Sequence, residues 1–332
     1  MRQLGLILVV AATQSTSCKQ PERAASATSS DAVATPAGDA AVLDAAAGTW
    51  GDRDMMVVAE LDGRWFVAIE DWYRPADGSK PSTDWVGAAP VSELGHRIML
   101  QAAAHAPAAW RTIVGQPLAT RAADGTACAT TITGLFWLAT SNAAEIENDP
   151  TFVAELRPEA GCAPVVITPR PIVRAGTRIA VNAAELKRVA TAFRALPAYR
   201  ALSREYPDDA SGDAAAWGFR FDDVTRVVIV KWFAHPVERS CHPAPRMLRA
   251  EYALTGTTPR LEWQSQIILA PEPRALFDSN GDGVMEQVTG VATVDGGMTM
   301  YTYLVGYLDP ALPEDDETPD GTMAVSRYGG CD

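Results

Sequence analysis

Asp278-Ser279-Asn280-Gly281-Asp282-Gly283-Val284-Met285-Glu286 is the run in this chain whose residue types and spacing together imply a specific chemistry. Side-chain oxygens fall at its first, third and fifth positions (Asp278, Asn280, Asp282). Gly283 follows where the backbone must turn sharply, and Glu286 stands at the ninth position. This is the order of donors that a hard cation needs, and the carbonyl of Val284 at the seventh position adds one more. Water would fill the rest of the six to eight oxygens that calcium takes. Residues 274–277 before the run and 287–294 after it read as strands, so the run sits at the tip of a β-hairpin. A plainer reading is also open, an Asn-Gly-Asp-Gly turn that only supplies positive φ between two strands. Three acids in one loop would then repel one another with nothing to offset them. Every acid of the loop serves as a ligand in the calcium reading, which makes the metal structural.

A helical calcium loop would carry a bidentate Glu at its twelfth position, where this chain has Thr289, and amphipathic helices on both sides. The pattern D-x-N-x-D-G-x-x-E between strands instead resembles the calcium loops of FG-GAP and VCBS-type repeats, hairpin sites with the last acid at the ninth position. No second copy of the pattern occurs in the sequence, whereas a propeller built of such repeats would show several at a regular period. The fold expected is therefore not a propeller.

At the N-terminus, Met1 and Arg2 give a short positive region, residues 4–12 an apolar run too short to span a bilayer, and small polar residues lead up to Cys18. Residues 1–17 thus read as a signal peptide. Ser15-Thr16-Ser17-Cys18 resembles a bacterial lipoprotein cleavage site, with Ser15 where that family prefers Leu; a plain signal-peptidase cut near residues 12–17 is the alternative. With Lys19 after Cys18, the resemblance implies lipidation of Cys18 and sorting to the outer membrane. Residues 18–48 are rich in Ala, Ser, Thr, Pro and Asp, have almost no large apolar side chain, and read as a disordered tether.

Five cysteines are an odd number for an exported chain. If Cys18 carries lipid, Cys128, Cys162, Cys241 and Cys331 remain, with three possible connectivities. Cys128 with Cys162 and Cys241 with Cys331 is favoured, because each pair then stays within one expected domain.

The remaining residues are enough for two modest cores. The fold class expected is mainly β with a small α part (α+β): two β-rich regions, 49–175 and 209–332, joined by a helical segment over 176–208. In the first region, residues 54–60, 65–71, 116–122, 127–140, 152–156 and 165–169 read as strands, with a turn at Asp124-Gly125. Residues 92–104 read as a helix on an imperfect stripe of Leu94, Ile98, Leu100 and Ala104. Asn182 with Glu185 forms an N-cap, followed by Leu186, Val189, Ala190, Phe193 and Leu196 on one helical face. Pro197 ends that helix and can start another. Arg188, Arg194, Arg200 and Arg204 read as its solvated face. Strands return over 224–233, 246–254, 261–269 and 298–307, where Tyr301, Tyr303 and Tyr307 share a side and suit cross-strand packing or, less simply, a stacking platform.

The formal net charge of −13 argues against nucleic acid and against an anionic lipid surface, since both need a basic patch. Nucleophile elbows, phosphate loops, Rossmann glycines and H-E-x-x-H are absent from the sequence. His235, Cys241 and His242 lie close enough to ligate a transition metal, but Cys241 is the better disulfide partner in an oxidising compartment. Glu70 and Asp71 would point to opposite faces of a strand and make no carboxylate pair. The reading that follows is an exported, lipid-anchored, calcium-stabilised binding module for a protein or glycan partner, touching the membrane through its anchor only. Its rival is a secreted hydrolase of an unrecognised class.

Overall fold

Alternation of buried and more exposed residues organises the first part of the longest strand, Ala127–Thr140, whose buried positions include Cys128, Thr130, Ile132 and Leu138. In the computed structural model, which describes residues 48–51, 55–87, 91–94, 98–140, 148–208, 212, 214–222, 224–233, 247–266, 272–295, 299–308, 310 and 323–328, this strand is the spine of a nine-stranded antiparallel sheet. Its length has a reason. One edge pairs along Thr151–Pro158, while the other serves two shorter strands in turn, Pro117–Ala122 against residues 127–131 and Ile98–Ala102 against residues 136–140. The Asp124-Gly125 turn is present, with Gly125 at φ +83° and the Thr126 N–H donating to the Asp124 carboxylate. The signal segment, Cys18, the tether up to residue 47, His235, Cys241, His242 and Cys331 lie outside the described residues.

The helix expected over 92–104 is not there. Ser92–Leu94 and Ile98–Ala102 are antiparallel strands, with Leu94 opposite Ile98. Ile98 and Leu100 are buried and the residues after each are less so, a period of two that the wider spacing of the stripe conceals. Glu70 and Asp71 likewise stand in an exposed turn after Arg64–Ala68, not in a strand.

A seven-stranded sheet holds Pro273–Asp278, Glu286–Thr289, Ala292–Asp295, Thr299–Leu308 and Met323–Tyr328, together with two short pieces from earlier in the chain: Asn148–Asp149, paired with Met323–Tyr328, and Arg174–Ala175, paired with Pro273–Asp278. It packs face to face on the nine-stranded sheet. Val57, Phe66, Leu138 and Val153 from one side meet Phe277, Val288, Leu304, Tyr307 and Met323 from the other in one apolar cluster. Tyr307 is thereby a core residue. The outer face of the nine-stranded sheet carries a second cluster rich in rings, where Trp110 packs edge-on against Tyr73 and Phe152.

The third sheet is five-stranded, ordered Thr177–Ile179, Ala215–Arg220, Thr225–Trp232, Met247–Leu254, Arg260–Ser265. One face, with Val227, Ile229, Leu248, Ala250 and Tyr252, packs on the helices Ala183–Ala195 and Pro197–Glu205 through Val189, Phe193, Tyr199 and Leu202. Asn182 caps the first helix by accepting from the Glu185 N–H at 2.9 Å, and Pro197 is the first residue of the second. Arg194, Arg200 and Arg204 are exposed as expected; Arg188 instead donates to the carbonyls of Gly256 and Thr257 and holds that turn to the helix. The other sheet face, with Phe219, Val228, Val230 and Met247, meets Leu276 of the seven-stranded sheet and Met285 of the loop that precedes Glu286–Thr289. The fold is thus mainly β with a small α part, its sheet nearly closed. Cys128 and Cys162 are joined, with Cα atoms 6.0 Å apart.

Candidate metal loop and the buried charge network behind it

The run 278–286 connects Pro273–Asp278 to Glu286–Thr289, neighbouring antiparallel strands in which Phe277 stands opposite Glu286. Gly281 and Gly283 both adopt φ +85°, the left-handed conformation that glycine takes without a Cβ penalty. The two ends of the loop are buried and its tip is exposed: Asp278 and Glu286 are 1% and 3% accessible, while Asn280 and Asp282 face solvent.

Each donor side chain is turned towards the loop itself. Asp278 accepts from the N–H of Gly281 at 2.5 Å and of Gly283 at 3.0 Å, one on each carboxylate oxygen. Asn280 accepts from the Asp282 N–H at 2.9 Å, and Asp282 accepts from the Val284 N–H at 2.7 Å and the Asn280 amide at 3.0 Å. Glu286 accepts from the Ser279 N–H at 2.9 Å and the Ser279 hydroxyl at 2.5 Å. The set is all oxygen, which fits calcium in kind, and a carboxylate has about four lone-pair sites, more than these bonds fill. Among the described residues no three His, Cys, Asp or Glu side chains are gathered as metal ligands.

Behind the loop lies a network that the sequence reading does not contain. Arg226, Arg249 and Glu251 point from the five-stranded sheet into the layer between sheets, and Gln287 points to them from the hairpin. The four are 6%, 0%, 1% and 0% accessible. Arg226 donates to Glu251 at 2.5 Å, Gln287 donates to the other oxygen of Glu251 at 3.2 Å, and Arg249 donates to the Gln287 carbonyl oxygen. The second terminal nitrogen of Arg226 reaches the carbonyl of Gly283 inside the loop, at 3.5 Å. Burial raises the Glu251 carboxyl above the ordinary carboxylate range, against the pull of Arg226. Burial likewise pushes the Arg249 guanidinium down to about 9, against Glu251, which still leaves it charged at neutral pH.

Alternation along a strand ordinarily assigns charged residues to the solvent face. Here the signal to the contrary is the unbroken run Val227-Val228-Ile229-Val230, which marks a strand covered on both faces and so makes Arg226 and its cross-strand neighbours interior.

No known protein family, curated protein or solved structure matches the chain.

Proposed function

We propose that this chain is an exported envelope protein, held to the outer membrane by lipid on Cys18 and a tether over residues 18–48, whose globular body is stabilised by one structural calcium ion and acts as a binding module for a protein or glycan. Asp278, Asn280, Asp282 and Glu286 hold the cation with their side chains and Val284 with its carbonyl. The body is organised as β-rich regions over 49–175 and 209–332 joined through the helical segment 176–208, and Cys241 pairs with Cys331. The observation that carries the calcium reading is the position of the oxygen-donor run at a hairpin tip, with two of its carboxylates, Asp278 and Glu286, buried at the base. Buried carboxylates are costly unless hydrogen-bonded or paired with a cation, and a metal adds the second compensation to the first.

The experiment is calorimetric titration of the metal-stripped chain with calcium, alongside Asp282→Ala. One calcium bound per chain, and none in the variant, is the expected result. Absence of calcium binding by the unaltered chain would reduce the run to a turn.

A further inference from the structure

We infer that the hairpin loop and the five-stranded sheet form one coupled unit, with Arg226 as the positioning residue, so that the state of the loop is felt in the sheet and the sheet sets the affinity of the loop. The geometry lies in two connections. Along the strand Glu286–Thr289, consecutive side chains leave on opposite faces; Glu286 turns to Ser279 in the loop, while Gln287, the next residue, binds Glu251 and Arg249. Arg226 spans the same divide from the sheet, holding Glu251 with one terminal nitrogen and the Gly283 carbonyl with the other. Gly283 is in turn held by Asp278 through its N–H. Between the two connections, Met285 is 1% accessible and sits in the apolar layer with Val228 and Val230. No residue from 283 to 287 can shift appreciably without disturbing a hydrogen bond or a packed side chain of the layer. Close packing of this kind transmits a displacement of the loop to the sheet.

The metal half of the inference rests on the calcium reading; the coupling half does not. Both are tested by a thermodynamic cycle that combines Asp278→Ala, which frees the Gly283 N–H, with the paired change Arg226→Met and Glu251→Gln, which removes the reach to Gly283 and leaves no buried carboxylate unpaired. Unfolding is measured in excess chelator and calcium affinity by titration. In chelator the loop change and the network change are expected to be non-additive by about fivefold or more in the unfolding equilibrium. Additive effects would overturn the coupling. In calcium, the paired variant is expected to bind about tenfold more weakly than the unaltered chain. Equal affinity would overturn transmission from sheet to metal, because a merely structural role for Arg226 lowers stability with and without calcium alike. Absence of calcium binding by the unaltered chain sinks the calcium reading alone, and the cycle in chelator still decides the coupling. Should the paired variant fail to fold, Arg226→Lys, which keeps the charge and loses the two-sided reach, takes its place in the same cycle.

Discussion

Asp278 and Asp282 stand four residues apart in one loop and have separable roles. The buried carboxylate of Asp278 satisfies two backbone N–H groups, so Asp278→Ala is expected to cost about 1 to 3 kcal/mol even in excess chelator, read by denaturant unfolding. Asp282 is exposed, and Asp282→Ala in chelator is expected to stay within about 0.5 kcal/mol while removing the response to calcium. Glu251 gives a prediction in pH. Its carboxyl is raised in the folded state, chiefly by burial, so between the ordinary glutamate range and that raised value the folded chain binds more protons than the unfolded one. Stability contributed by this group is therefore present at lower pH and lost as pH rises through that interval. Glu251→Gln should remove this downward slope from a plot of unfolding free energy against pH; an unchanged slope would show that the charge is not held there at a cost. The hairpin turn was legible from residues 278–286 alone, since its positive-φ glycines and hydrogen-bonding side chains are neighbours on one short connection. The Arg226–Glu251 contact was not, because it joins residues 25 apart through the register of two strands.

Among the elements, those specified by local chemistry were the readable ones. Asn182 closes the first turn of its helix with its own side chain, and Asn182→Ala is expected to cost about 1 kcal/mol, measurable as a lowered denaturant midpoint. The hairpin at Asp124-Gly125 was readable for the same reason, a side-chain cap and a glycine at positive φ. Residues 92–104 were misread because Leu94, Ile98 and Leu100 satisfy a helical spacing loosely and a strand spacing only once the pairing of Ser92–Leu94 with Ile98–Ala102 is known. The bridge between Cys128 and Cys162 ties Ala127–Thr140 to the segment just before Pro164–Ile167, across a sequence separation of 34. Replacing both cysteines with serine is expected to cost about 2 to 5 kcal/mol, read by the same denaturant unfolding.

At the scale of the whole molecule, the cluster shared by Phe66, Leu138 and Val153 with Phe277, Val288 and Leu304 joins the first half of the chain to its last third. Which inward face meets which was not legible, since apolar alternation marks a face as buried without naming its partner. Phe277→Ala, at a wholly buried ring, is expected to cost about 3 to 5 kcal/mol and to lower the unfolding of both sheets together. Separate shifts seen by probes in the two sheets would contradict a shared core. The calcium reading is tested most directly by a thermal melt of the metal-stripped chain in calcium and in excess chelator. A ligand that binds only the folded state adds about 2.7 kcal/mol at a hundred times its dissociation constant, so the melt in calcium should rise by a few degrees or more. Superimposable melts, with binding absent by titration, would contradict a metal at Asp278, Asn280, Asp282 and Glu286.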